Sequence, residues 1–126
     1  MNLLLDTHVL IWWATDDPKL GPNLRSALAD PDNEVAFSVI SIWEVAIKHA
    51  KGLIELGPTQ LRESSLQAGL RELAFLGSHA ARVSELPPIH SDPFDRALVA
   101  QAMVEPMVLL SEDGWIRQYS IQVLRG

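Results

Sequence analysis

The sequence predicts an α/β fold built on a parallel sheet, and two stretches carry that prediction. Leu3-Leu4-Leu5 and Met107-Val108-Leu109-Leu110 are unbroken apolar runs without polar alternation, the pattern of strands buried on both faces. Each run stops at acids: Asp6 after the first, Ser111-Glu112-Asp113 after the second. In an open α/β sheet the ligand crevice lies just beyond the carboxyl ends of the strands, so Asp6 is expected at the mouth of a site.

The remaining elements follow in chain order. His8 to Ala14 reads as a short helix with Thr7 as its cap, and Val9, Trp12 and Trp13 as its apolar stripe. Leu10 and Ile11 would then project away from the sheet. Pro22 opens a second helix running to about Asp30, and Pro31-Asp32-Asn33 is a turn. Glu34 to Ser38 suits a strand. A helix follows from near Ser41, with Ile40, Trp43, Ile47 and Ala50 as its core face and Gly52 as its stop. Thr59 to Ala68 is amphipathic, Arg71 to Leu76 reads as a strand, and Ser78 to Leu86 as a helix broken by Pro87-Pro88. Ser91-Asp92-Pro93-Phe94-Asp95 is a strong helix start, with Phe94, Ala97, Leu98 and Ala102 forming the buried stripe behind it. A short turn or helix and a last strand at Ile121 to Leu124 finish the chain.

A length of 126 residues suits one domain with one core, so residues 1–126 are expected to form a single unit. No apolar run approaches the roughly 20 residues that cross a bilayer, and the N-terminus lacks the basic leader of a signal peptide. With no cysteine there is no disulfide framework and no thiolate metal site, and a cytoplasmic protein is expected. Any metal must be held by oxygen or imidazole. The 16 acids against 10 Lys and Arg give a formal charge of -6, which favours a focused acidic site over a broad basic surface.

Two predicted strands end at acids, Asp6 and Asp113, and two predicted helices begin with acids, Glu44 and Asp95. In a parallel sheet those places share one edge, because helices start where strands stop. Carboxylates converging without paired Lys or Arg repel one another unless a divalent cation sits among them, and Mg²⁺ or Mn²⁺ suits such an all-oxygen set. That arrangement serves metal-assisted phosphodiester hydrolysis. Each acid also has a purely structural reading: Ser41-Ile42-Trp43-Glu44 fits a capping box, Asp95 a first-turn acid, Asp113 a turn residue beside Gly114, and Asp6 a helix cap. Those readings do not explain why all four fall on one edge. His49 and His90 have no second imidazole at ligand spacing and read as surface or core residues rather than zinc ligands. Arg96 reads equally as a local partner of an acid or a phosphate contact, and Trp43 as packing rather than base stacking.

Taken together, Leu5-Asp6-Thr7-His8-Val9-Leu10-Ile11-Trp12-Trp13, Ser41-Ile42-Trp43-Glu44, Asp92-Pro93-Phe94-Asp95-Arg96 with Ala100-Gln101-Ala102, and Leu109-Leu110-Ser111-Glu112-Asp113 resemble the successive motifs of PIN-domain ribonucleases, in particular the VapC-type toxins of toxin–antitoxin pairs. The resemblance spans essentially the whole chain in order; the D-P-F-D-R block is specific, the S-x-x-E alone is not. It implies a three-layer α/β/α sandwich around a central, mostly parallel sheet. It further implies a metal-dependent endoribonuclease in which Asp6, Glu44, Asp95 and Asp113 hold Mg²⁺, with Mn²⁺ able to substitute, and activate water. Thr7 and Ser111 match small hydroxyl residues beside the metal, and Asp92 and Arg96 are further accessory candidates. Ser91 stands where relatives often carry arginine, and Ser111 where threonine is frequent. The implied partners are an RNA substrate, a cognate antitoxin and a second copy of the chain. A catalytically idle PIN-like module that only binds a partner is the alternative, and its signature, a broken acidic set, is not met here. An aspartyl-phosphate phosphatase or receiver is disfavoured by His8 in place of a second acid and by Ser111-Glu112-Asp113 in place of a lysine.

Overall fold

The computed structural model of the chain describes residues 1–125. Among these, five strands and six helices are formed: β1 (Asn2–Leu5), α1 (Thr7–Ala14), α2 (Pro22–Ala29), β2 (Glu34–Ser38), α3 (Val39–Ala50), α4 (Pro58–Gln67), β3 (Arg71–Leu73), α5 (Gly77–Val83), α6 (Pro93–Val104), β4 (Val108–Leu110) and β5 (Val123–Leu124), with a 3-10 turn at Ile116–Gln118. The strands pair in the order β3-β2-β1-β4-β5 and every pairing is parallel. β1 therefore sits in the middle, Leu5 lying between Phe37 of β2 and Leu110 of β4. The chain winds outward from β1 to β3, then returns to β4 on its other side, so the order reverses at the carboxyl end of β1.

The period-two geometry of a strand divides β1 between two cores. Leu4 packs on one side with Ala36, Ile40 and the α6 residues Ala97 to Ala102. Leu3 and Leu5 pack on the other with Phe37 of β2 and with Val9, Leu10, Leu24, Val45 and Leu61, drawn from α1 to α4. The result is the three-layer α/β/α sandwich, with an all-parallel sheet. No helix among the described residues is long and apolar enough to cross a membrane.

Several local expectations are corrected. α1 starts at Thr7 and is capped by Asp6, whose carboxylate accepts from the N–H of Val9 at 2.8 Å. Its buried residues are Thr7, Val9 and Leu10, while Ile11, Trp12 and Trp13 are half-buried against the same core. Leu10 thus points inward, and Ile11 does not stand free of the domain, because α1 packs on α3 and α4 as well as on the sheet. In α3 the cap is Ser38, not Ser41, and the buried residues are Ile40, Ser41, Glu44 and Val45. Trp43 is 58% exposed, its ring edge against Phe94 with centroids 5.2 Å apart, and Ala50 is exposed. β3 ends at Leu73 because the next carbonyl, of Ala74, accepts from the Gln101 side chain at 3.2 Å instead of from a strand. α5 ends at Val83, whose carbonyl accepts from the Leu86 N–H at 3.2 Å, and the Arg96 guanidinium takes the carbonyls of Val83 and Leu86.

Candidate metal centre

Asp6 enters the site from the end of the central strand. Its N–H donates to the carbonyl of Leu110 at 3.0 Å, which ties it to the end of β4, and its carboxylate is hydrogen-bonded to the buried Ser111 hydroxyl. The same Ser111 oxygen accepts from the N–H of Asp113 at 3.0 Å. One hydroxyl thus joins two of the predicted acids. Burial pushes the Asp6 carboxyl above its ordinary value, against the hydrogen bonds from Ser111 and Val9 that favour the ionised form.

Glu44 is carried in by α3. Because Ser38 caps that helix, accepting from the N–H of Ile40 at 3.0 Å, the capping-box reading of Ser41 and Glu44 does not hold. Ser41 instead lies buried and accepts from the Thr7 hydroxyl at 3.0 Å, pinning α1 to α3. Glu44 is only 3% exposed. Lys48 donates to its Oε2 at 2.6 Å, so this acid, contrary to expectation, has a cationic partner one turn on. Its Oε1 is buried and has no hydrogen-bond partner. A buried unpaired carboxylate oxygen is costly and calls for an ion, a water or a functional role.

The third group comes from α6 and the loops on either side of the sheet edge. Asp92 caps α6, accepting from the N–H groups of Phe94 and Asp95 at 2.8 and 3.1 Å. Asp95 stands in the first turn, and Asp113 accepts from the N–H of Trp115 at 2.8 Å through Oδ1. Between Asp95 and Asp113 lies a residue that sequence reasoning assigned elsewhere: His90 places Nε2 2.9 Å from Asp113 Oδ2 and 3.0 Å from Asp95 Oδ2. The available signal was its position two residues before the D-P-F-D block. Lys48 was missed too, although Glu44 and Lys48 stand at the i,i+4 spacing of helical ion pairs.

Arg96 forms no ion pair with an acid among the described residues. Its guanidinium donates to the carbonyls of Pro87, His90, Val83 and Leu86 at 3.0 to 3.4 Å and lies 3.3 Å from the Tyr119 hydroxyl. It holds the loop that carries His90.

The electrostatics show that the acids share one field. Asp95 is pushed up to about 7, chiefly by burial and then by the charges of Asp92, Asp6 and Glu44, with His90 opposing. Asp113 is affected by burial in the same sense, but the Trp115 N–H and the His90 ring outweigh it and hold this carboxyl below its ordinary value. Burial lowers His90, and the hydrogen bond to Asp113 with the charges of Asp95, Asp113 and Asp92 more than reverses that. The structure thus couples Asp6, Glu44, Asp95 and Asp113 by charge near the reversal point of the sheet, and ligand atoms of Asp95, Asp113 and His90 lie within 4.8 Å of one another. The structural readings of Asp6 as a cap, Asp95 as a first-turn acid and Asp113 as a turn residue also hold, since each uses only part of a carboxylate's acceptor capacity. Buried acids this crowded, with one oxygen of Glu44 orphaned, fit a hard divalent cation with oxygen ligands.

The PIN domain family's sequence pattern matches residues 3–121. A curated relative, Ribonuclease VapC22 of Mycobacterium tuberculosis (strain ATCC 25618 / H37Rv), is 29% identical over 120 residues, covering 94% of this chain and 92% of that protein. Among solved structures, the fold is similar to VapBC2 from Rickettsia felis bound to a DNA fragment from its promoter, with a TM-score of 0.76 and 16% identity over 100% of this chain and 99% of that one. DNA-bound VapBC from Salmonella typhimurium gives a TM-score of 0.71 and 15% identity, over 99% of this chain and 98% of that one.

Proposed function

The chain belongs to the PIN-domain family, and from that premise we propose that it is a metal-dependent endoribonuclease acting as the toxin of a toxin–antitoxin pair. One observation carries the reading: Asp6, Glu44, Asp95 and Asp113, from four separate segments, are coupled by charge near the carboxyl end of the central strand, and Glu44 keeps a buried oxygen without a partner. Bare structural acids do not need to meet. The name of the relative at 29% identity, a ribonuclease, supplies the substrate class, and a structure of like fold, VapBC-5 from Mycobacterium tuberculosis, a member of the VapBC family of toxin–antitoxin systems, supplies the kind of partner.

Asp6, Glu44, Asp95 and Asp113 would hold the cation, with Mg²⁺ the first choice and Mn²⁺ a substitute. When bound, such a cation supplies Lewis acidity, lowering the pKa of water and offsetting charge on phosphate oxygens. The chain's own residues prepare the rest. Ser111 orients Asp6 and Asp113 with one hydroxyl, and the Thr7–Ser41 hydrogen bond holds α3, and so Glu44, against the end of β1. Lys48 fixes one oxygen of Glu44 and leaves the other available. In the reaction a water oxygen attacks phosphorus in line, the bond to the 3′ oxygen breaks, and the products carry a 5′-phosphate and a 3′-hydroxyl. The crevice is acidic, so a cation is also what lets a polyanion approach it. Residues 1–126 act as one catalytic unit in this reading. A homodimer and an antitoxin complex belong to it as well.

RNA cleavage by the chain, purified free of any partner, is the test. Cutting is expected only with Mg²⁺ or Mn²⁺, and Asp6→Asn or Asp95→Asn is expected to lower it at least about 100-fold in a protein that remains folded by circular dichroism, the scale seen when an electrostatic contributor to the transition state is removed. Undiminished cutting in excess chelator overturns the mechanism. Binding of a partner by a chain that never cuts RNA would favour the idle module.

A further inference from the structure

We infer that His90 is a positioning residue of the metal centre and not one of its ligands: its Nε2–H is a fixed donor to Asp113 that also stands against Asp95 and keeps the two carboxylates converged for a hard cation. The inference rests on the nuclease reading for the identity of the centre.

Geometry around the ring decides where its hydrogen lies. The backbone N–H of Asp92 points at Nδ1 from 3.2 Å, and a backbone amide only donates. Nδ1 must therefore present its lone pair, which leaves the hydrogen of the neutral ring on Nε2. Nε2 is hydrogen-bonded to Asp113 Oδ2 at 2.9 Å and lies 3.0 Å from Asp95 Oδ2. To ligate a cation through Nε2, the neutral ring would have to move its hydrogen to Nδ1, where the Asp92 N–H stands. His90, Asp95 and Asp113 are close enough together to look like a three-ligand set. The Asp92 contact argues against that use.

The ring is also held in place by residues with no other part in the site. The His90 N–H donates to the Tyr119 hydroxyl at 2.8 Å, and Arg96 clamps the carbonyls of Val83, Leu86, Pro87 and His90. His90 is thus tied at its main chain from two sides and at its ring from a third. Both carboxylates retain lone pairs for a cation, because the one N–H uses only a fraction of Asp113's acceptor capacity and none of Asp95's. The donor set toward the metal stays all-oxygen, which selects Mg²⁺ or Mn²⁺ over ions that favour imidazole. Groups that orient ligands in this way typically affect metal affinity about 10- to 100-fold.

Calorimetric titration of the metal-free full chain with Mg²⁺, in wild type, His90→Leu and His90→Gln, tests the role. His90→Leu is expected to weaken Mg²⁺ binding about 10- to 100-fold. His90→Gln, whose amide nitrogen can stand where Nε2 stood, is expected to restore most of it. The histidine-ring ¹H–¹⁵N correlation spectrum of wild type, without and with saturating Mg²⁺, tests the geometry directly and needs no variant: Nδ1 is expected bare and Nε2 protonated in both. Loss of the Nε2 hydrogen on saturation, wild-type affinity in His90→Leu, or a Gln variant as weak as the Leu variant overturns the inference while leaving the nuclease reading standing. A wild-type chain that takes up no Mg²⁺ and cuts no RNA overturns both.

Discussion

Asp95 is the residue on which the electrostatic tension of the site falls. Its carboxyl is pushed up to about 7 from an ordinary 3.8, first by burial and then by Asp92, Asp6 and Glu44. The sign of the resulting pH dependence follows from which state binds the proton. Between about 4 and 7 the metal-free folded chain holds a proton on Asp95 that the unfolded chain has released, so stability is greatest below that window and is lost as pH rises through it. His90, whose value is also raised, acts in the same direction at the upper end, losing its contribution as pH rises through its folded value. Asp113, held low, acts oppositely, its contribution being present above its ordinary value and lost as pH falls toward the folded one. In excess chelator the melting temperature of wild type is therefore expected to fall between pH 5 and pH 7.5 relative to that of Asp95→Asn. At pH 7.5 the variant is expected to melt higher, by about 3 to 6 °C for each kcal/mol of repulsion relieved. It should also gain less from added Mg²⁺. Thermal melts of both proteins across that range, with chelator and with Mg²⁺, check all three statements. A lower melting temperature for the variant at every pH would make Asp95 a helix-dipole acid and nothing more.

At the scale of elements, the site is assembled by helix starts and by one clamp. Ser38 and Asp92 cap α3 and α6 at the same edge where β1 and β4 end, which is how Glu44 and Asp95 come to face Asp6. The loop between α5 and α6 has no such regular support and depends on Arg96. Charge-assisted hydrogen bonds of this kind contribute about 1.5 to 3 kcal/mol each at most, and several share one guanidinium. Arg96→Met is expected to destabilise the chain by about 2 to 3 kcal/mol and to weaken Mg²⁺ binding by releasing His90. Arg96→Lys should not rescue it, because one ammonium cannot reproduce the planar fork that spans the carbonyls from Val83 to His90. Denaturant melts combined with metal titration of both variants give the answer. Full stability and affinity in Arg96→Met would reduce the clamp to a surface contact.

Across the whole molecule, what was legible in the sequence was what neighbouring residues determine. β1 and β4 announce themselves as unbroken apolar runs, and Asp6 and Asp113 mark their ends, so the reversal point of the sheet and much of its acidic lining could be read directly. The cap of α3 was misplaced because Ser38 and Ser41 both suit the role, and only burial of Ser41 against Thr7 distinguishes them. The face of α1 was misread because nearly all its residues are apolar, and packing against α3 and α4, not period, decides that Leu10 goes inward. His90 has only a weak local signal, its position two residues before the D-P-F-D block. Its place depends on Arg96, Tyr119 and Asp113, brought together by tertiary structure alone. The central claim, that the acids of four separate elements form one cation site at the end of β1, is tested most directly by diffraction from crystals of the full chain soaked in Mn²⁺. An anomalous peak about 2.1 Å from carboxylate oxygens of at least two of Asp6, Glu44, Asp95 and Asp113 is the expected result, a distance appropriate to hard ions of this size. A map with no peak at these carboxylates, or with Mn²⁺ only elsewhere on the chain, would contradict it.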